Sequence, residues 1–120
     1  MAHVLVVDDE MYIRELIKKT LCNQGHSVIE AENGEKALKV LKEKLVDIAI
    51  VDLVMPHKGG IETLMEIRDF DPGIKLIAVS GKINTGGDSI KVLAQQFKID
   101  AVLAKPFDLD ELIQLIQDMT

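Results

Sequence analysis

Four short apolar runs, Val4 to Val7, Ile48 to Val51, Leu76 to Val79 and Ala101 to Ala104, are separated by stretches whose apolar residues recur with helical spacing. Strands that alternate with helices form parallel sheets, because parallel neighbours need a crossover and a helix is the usual one. Runs that are apolar at nearly every position fit strands covered by helices on both faces. Each run also ends in a polar residue: Asp8 and Asp9 after the first, Asp52 after the second, Ser80 after the third, Lys105 after the fourth. In one parallel sheet these ends share an edge, and in open α/β sheets that edge is where ligands bind. Carboxylates hold a hard cation such as Mg2+, while a lysine balances the charge of a phosphate.

Between the runs, Ile13, Leu16, Ile17, Thr20 and Leu21 follow one helix face, and the stretch stops near Asn23-Gln24-Gly25, where glycine suits a helix C-terminus. Ser27 to Ala31 is a more polar strand, which places it at a sheet edge. Asn33 reads as an N-cap, with Gly34, Ala37, Leu38, Leu41 and Leu45 on one face of the helix it opens. A loop, Met55-Pro56-His57-Lys58-Gly59-Gly60, precedes a third helix that begins with Ile61, Leu64 and Met65 and ends at the turn Asp71-Pro72-Gly73. Gly81 to Gly87 reads as a loop, Asp88 as an N-cap, and Ile90, Leu93, Ala94 and Phe97 as the stripe of a fourth helix. Asp108 with Glu111 has the form of a capping box for a fifth helix that buries Leu109, Leu112, Ile113 and Ile116. The expected fold is a doubly wound α/β sheet of five parallel strands in the order 2-1-3-4-5 with five helices, making Asp8, Asp9 and Asp52 neighbours.

Residues 1–120 have the length of one domain, and 48% apolar with 28% charged residues is a globular composition. The net charge of -6 disfavours a nucleic-acid surface, which needs lysines and arginines to neutralise phosphates. No apolar run approaches the roughly 18 residues of a membrane span, and the N-terminus lacks the pattern of a signal peptide, so the expectation is a cytoplasmic protein without a membrane partner. Cys22 stands alone, which excludes an internal disulfide and a metal-binding cysteine pair, and reads as a small buried hydrophobe near a helix end. His3, His26 and His57 lack ligand spacing and read as solvent-facing or locally paired, and Met11 and Met55 as flexible packing. An isolated Asp8-Asp9 pair would be no more than acidic residues at a helix's positive end. With Asp52 on the adjacent strand end, three carboxylates repel one another, and a divalent cation resolves the repulsion.

Asp8-Asp9-Glu10 with Arg14, Asp52-Leu53-Val54-Met55-Pro56 with Gly59 and Gly60, Ser80-Gly81, and Lys105-Pro106-Phe107 together resemble the receiver domain of two-component response regulators. The resemblance covers essentially the whole chain and carries that family's CheY-like, flavodoxin-like fold. It implies that Asp52 accepts a phosphoryl group from a phosphohistidine on a sensor histidine kinase or phosphotransfer protein. Mg2+ would be held by Asp9, Asp52 and the backbone carbonyl of Val54, with Asp8 acting mainly through a metal-bound water. Lys105, Ser80 and the amides of Val54 and Gly81 would contact the phosphoryl oxygens, and the bond between Lys105 and Pro106 would be cis. Such a chain is a phosphoacceptor that catalyses only its own phosphorylation and dephosphorylation.

In the family, movement of the serine or threonine is coupled to an aromatic residue three positions before the lysine. Here that position is Val102, so rearrangement is expected to concentrate in Gly81 to Gly87 and the start of the fourth helix. Val54 offers no hydrogen bond to a hydrolytic water, which implies slow self-dephosphorylation; Lys82, two residues beyond Ser80, acts in either direction. The resemblance places the output surface on the fourth and fifth helices, as a monomer or a phosphorylation-linked homodimer; no residue here identifies the downstream target. Two other readings stand beside it. One is a haloacid-dehalogenase-type phosphatase, which needs a second aspartate two residues after its nucleophile, where this chain has Val54. The other is a receiver-like binding domain that is never phosphorylated, against which the complete set Asp8, Asp9, Asp52, Ser80 and Lys105 argues.

Overall fold

The structure, a computed structural model, describes residues 1–53, 59–80 and 95–120. In chain order the elements are β1 (His3–Val7), α1 (Met11–Asn23), β2 (Ser27–Ala31), α2 (Gly34–Glu43), β3 (Ile48–Asp52), α3 (Gly60–Phe70), β4 (Lys75–Ser80), β5 (Ala101–Ala104) and α4 (Leu109–Met119). The strands form one parallel sheet in the order β2-β1-β3-β4-β5, with the polar β2 at an edge as its composition implied. Four helices lie among the described residues. Of the expected loop Met55 to Gly60, residues 55–58 with His57 lie outside them, as do the expected loop at 81–87 with Lys82 and the cap and stripe at Asp88, Ile90, Leu93 and Ala94; Gly60 already belongs to α3, and Gln95 and Gln96 are helical.

Side chains alternate across a strand, and both faces of this sheet are apolar. Leu5, Val7, Ala49, Val51, Leu76 and Ala78 face α2 and α3, meeting Ala37, Leu41, Leu64 and Ile67. Val4, Val6, Ile48, Ile50, Ile77 and Val79 face α1 and α4, meeting Ile17, Leu21, Leu112 and Ile116. That double burial is why the strands read as continuous apolar runs. No helix among the described residues is long and apolar enough to cross a membrane.

Local chemistry sets the helix ends. After α1 the Gly25 N–H donates to Cys22 O and the His26 N–H to Leu21 O, with Gly25 at φ +89°, the glycine-terminated helix end known as the Schellman motif. Asn33 caps α2 by accepting from the Lys36 amide at 2.9 Å. At α4 Asp108 caps the helix, but through the amide of Asp110 at 2.9 Å rather than through that of Glu111 as the expected capping box has it.

Five side chains differ from expectation, among them Leu109 and Ile113, which α4 leaves half-buried while Leu112 and Ile116 take its core face. Cys22 is exposed, because it follows the buried Leu21 by one residue and is therefore rotated by about 100° off the core-facing stripe. Leu45 is exposed, because Lys44 already has extended backbone and the helix stops before the apolar period reaches it. Met11 is 62% exposed on the first turn of α1 and packs nothing in the core.

Candidate functional site

Register brings the strand ends to one level. Val7 pairs with Val51, so Asp8 stands beside Asp52; Ser80 pairs with Ala104, so Lys105 follows one residue beyond. The Lys105 amide donates to Ser80 O at 2.7 Å, and the Leu53 amide to Val79 O at 2.8 Å, extending the ladders past the side chains that carry charge. Asp8, Asp52 and Ser80 are buried at 2%, 3% and 6% exposure. Asp9 and Glu10 are exposed.

Lys105 reaches across the end of β4, and its ammonium donates to Asp8 Oδ2 at 3.1 Å and to Asp52 Oδ2 at 3.2 Å. Glu10 Oε1 lies 3.7 Å from the same nitrogen. The ammonium thus sits between two buried carboxylates that would otherwise repel each other. Burial opposes the charge on Lys105, but hydrogen bonds and charge from Asp8 and Asp52 outweigh it and raise its pKa. Burial, together with the charge of Asp52, pushes the Asp8 carboxyl up against the opposing bonds from the Glu10 amide and Lys105. The Lys105–Pro106 peptide bond is cis.

Asp8 also shapes the turn out of β1, its Oδ1 accepting from the Glu10 amide at 2.9 Å. This turn gathers carboxylate oxygens of Asp8, Asp9 and Glu10 within 4.8 Å of one another. The donor set fits a small hard dication: oxygen only, anionic, and open to water on the side of the two exposed members. Glu10 lies with Asp8 and Asp9 in this group, and Asp52, beside Asp8 on the sheet edge, is linked to it through the shared ammonium of Lys105, whose charge offsets part of the repulsion between Asp8 and Asp52. Val54 and Gly81, expected to offer backbone groups, lie outside the described residues. Val102 is half-buried on β5 against the core facing α2 and α3.

Gly60 is a site residue that sequence reading had as part of a loop. A Cβ built on it would lie 2.0 Å from the Asp52 carbonyl oxygen and 2.4 Å from the Leu53 Cα. Only glycine lets the N-terminus of α3 come this close to the end of β3. The neighbouring pair Gly59-Gly60 was visible; the contact it serves was not.

A family model described as the response regulator receiver domain matches residues 4–117. The chemotaxis protein CheY of Bacillus subtilis is 36% identical over 118 residues, which cover 97% of this chain and 96% of that protein. The transcriptional regulatory protein GlrR of Escherichia coli K12 is 36% identical over 117 residues, and there the chain spans 26% of the relative's length. Among solved structures, the response regulator TrrA of Thermotoga maritima, in complex with Mg(2+)-BeF, superimposes with a TM-score of 0.85 at 33% identity, covering 100% of both chains.

Proposed function

The chain belongs to the response regulator receiver domain family, and from that premise we propose that Asp52 is its phosphoacceptor, taking a phosphoryl group from a phosphohistidine on a sensor histidine kinase or phosphotransfer protein. The observation that carries the reading is the Lys105 ammonium held between Asp8 and Asp52 at the carboxyl edge of the sheet. A fixed cation beside a buried carboxylate is what an anionic donor needs to approach an anionic nucleophile.

In the step proposed, an Asp52 carboxylate oxygen attacks phosphorus in line with the histidine nitrogen. The O–P bond forms and the N–P bond breaks; the nitrogen keeps the electron pair and takes a proton from water. Lys105 turns its donors from Asp52 Oδ2 to the incoming phosphoryl oxygens. Ser80, at the end of β4, donates to the same oxygens, as do the amides of Val54 and Gly81. Asp8, Asp9 and Asp52 with the Val54 carbonyl would hold Mg2+, and the metal when bound would supply further neutralisation of the transferring charge. The Mg(2+)-BeF complex of the similar TrrA supports this pairing of cation and anion.

The acyl phosphate adds roughly -1.5 to -2 charge. It draws Ser80 and the residues after it toward the site, and the signal passes through residues 81–97 and α4 to a downstream target, as a monomer or a homodimer formed on phosphorylation. Val54, in the place where a dehalogenase-type phosphatase has its acid, leaves hydrolysis slow. The test is incubation with Mg2+ and a small phosphodonor, read by intact mass. Wild type is expected to gain one phosphoryl unit and Asp52→Asn none; equal gain in both would overturn the assignment.

A further inference from the structure

Arg14 lies on α1 with only 12% of its side chain exposed, and it makes bonds in two directions. Its Nη1 donates to the backbone carbonyl of Asp8 at 2.7 Å, and its Nε donates to Glu30 Oε1 on β2 at 3.2 Å. Lys18 approaches Glu30 at 3.8 Å. We infer that Arg14 is a positioning residue for the acidic turn: by clamping the Asp8 carbonyl against β2, it sets the direction in which Asp8 and Asp9, two of the carboxylates proposed above to hold Mg2+, face that cation.

At Asp8 the chain leaves the sheet. Its N–H donates to Ala31 O at 3.2 Å, and α1 begins three residues later, at Met11. Within that interval the Glu10 amide is tied to Asp8 Oδ1 at 2.9 Å, and the Arg14 amide to Glu10 O at 3.1 Å. The guanidinium closes the circuit by holding the Asp8 carbonyl. The orientation of the peptide plane between Asp8 and Asp9 is therefore set by Arg14, and with it the directions of the side chains on either side. A guanidinium offers several donors in a rigid fork, which an ammonium on a flexible stem cannot reproduce.

Charge alone predicts the opposite outcome, which makes the inference testable. A cation beside an acidic cluster repels Mg2+, so deleting it should tighten metal binding. A positioning role predicts weaker binding, as for groups that orient metal ligands. The inference rests on the Mg2+ reading above for this affinity measurement.

The experiment is calorimetric Mg2+ titration without phosphodonor, on wild type, Arg14→Met, Arg14→Lys, Glu30→Gln and Lys18→Met. Thermal melts first establish that each variant is folded. Arg14→Met is expected to bind about tenfold more weakly, with Arg14→Lys and Glu30→Gln between it and wild type and Lys18→Met equal to wild type or tighter. Binding by Arg14→Met as tight as wild type or tighter overturns the inference. If Arg14→Met does not fold, Glu30→Gln decides in the same way. If wild type binds no Mg2+, the metal reading falls, and the Glu10 amide proton resonance of the metal-free protein decides. It is expected to shift in Arg14→Met and to stay in place in Lys18→Met, and an equal resonance in both overturns the clamp.

Discussion

A Cβ on Gly60 would lie 2.0 Å from the carbonyl oxygen of Asp52. That separation is less than any two such atoms tolerate, and the obstacle is backbone, so no rotamer change relieves it. The residue that ends β3 and the residue that begins α3 are fitted to each other with no room for a methyl group.

Gly60→Ala is therefore expected to force α3 and the end of β3 apart, at a cost near the upper end of the about 1–3 kcal/mol seen for overpacking. Urea unfolding should show a lower midpoint with an unchanged slope. The displaced Asp52 should also take up a phosphoryl group more slowly under the conditions of the mass assay. A wild-type midpoint for this variant would refute the close fit.

Lys105→Met leaves Asp8 and Asp52 buried and deprives them of their shared ammonium. In metal-free buffer the loss is expected to be about 1–3 kcal/mol or more, the cost of stranding a buried charged acceptor. Mg2+ should then raise the melting temperature of this variant more than that of wild type, because the dication takes over the neutralisation. Equal Mg2+ responses would show that Lys105 does not screen this pair.

The raised pKa of Asp8 has a definite sign in stability. A native carboxyl that holds its proton more tightly than the unfolded one favours the fold most at pH below the ordinary aspartate value of about 3.9, and that contribution is lost as pH rises through the raised value. Asp8→Asn removes the loss. In metal-free buffer it should melt above wild type at pH 7, with the advantage shrinking as pH falls toward 4. Lys105, whose pKa is also raised, stays charged throughout this range. A difference between the two proteins that does not change with pH would contradict the shift on Asp8.

Arg68 carries a structural load at the opposite end of the sheet. Its guanidinium donates to Pro72 O at 2.8 Å, Ile74 O at 2.7 Å, Lys98 O at 2.6 Å and Phe97 O at 3.3 Å, and lies 3.7 Å from Asp100. Asp100 in turn accepts from the Leu76 amide at 2.8 Å. Arg68→Ala should cost about 2–3 kcal/mol, as several bonds to one charged group are lost together. It should also speed hydrogen exchange at Leu76 and Asp100; unchanged exchange there would place the effect elsewhere.

How much of this was legible in the chain follows from the range of each interaction. Asn33 bonds the Lys36 amide three residues away, and Gly25 closes α1 within its own turn, so both were readable from neighbouring residues. The edge position of β2 followed from its polarity. Leu45 was misplaced because apolar period says which face a residue takes and not where the last turn stops. Gly60 and Arg68 were missed as structural keys because their partners lie on other elements, Asp52 at the end of β3 and Phe97 and Lys98 about 30 positions on.

Local pattern in the chain was enough for the alternation of strand and helix, the double burial of the sheet and an acid, a hydroxyl or an amine at each strand end, and five alternating units were enough for the strand order that sets Asp8 beside Asp52. The bonds among those groups come from folding. Lys105 joins Asp8 from 97 positions away and Asp52 from 53, crossing β4 to do so, and Glu10 gathers with Asp8 and Asp9 at the turn after β1. Register is an outcome of packing two helical layers against one sheet. The hydrogen bonds and ion pairs that each strand-end side chain makes therefore emerge only when the whole core is assembled.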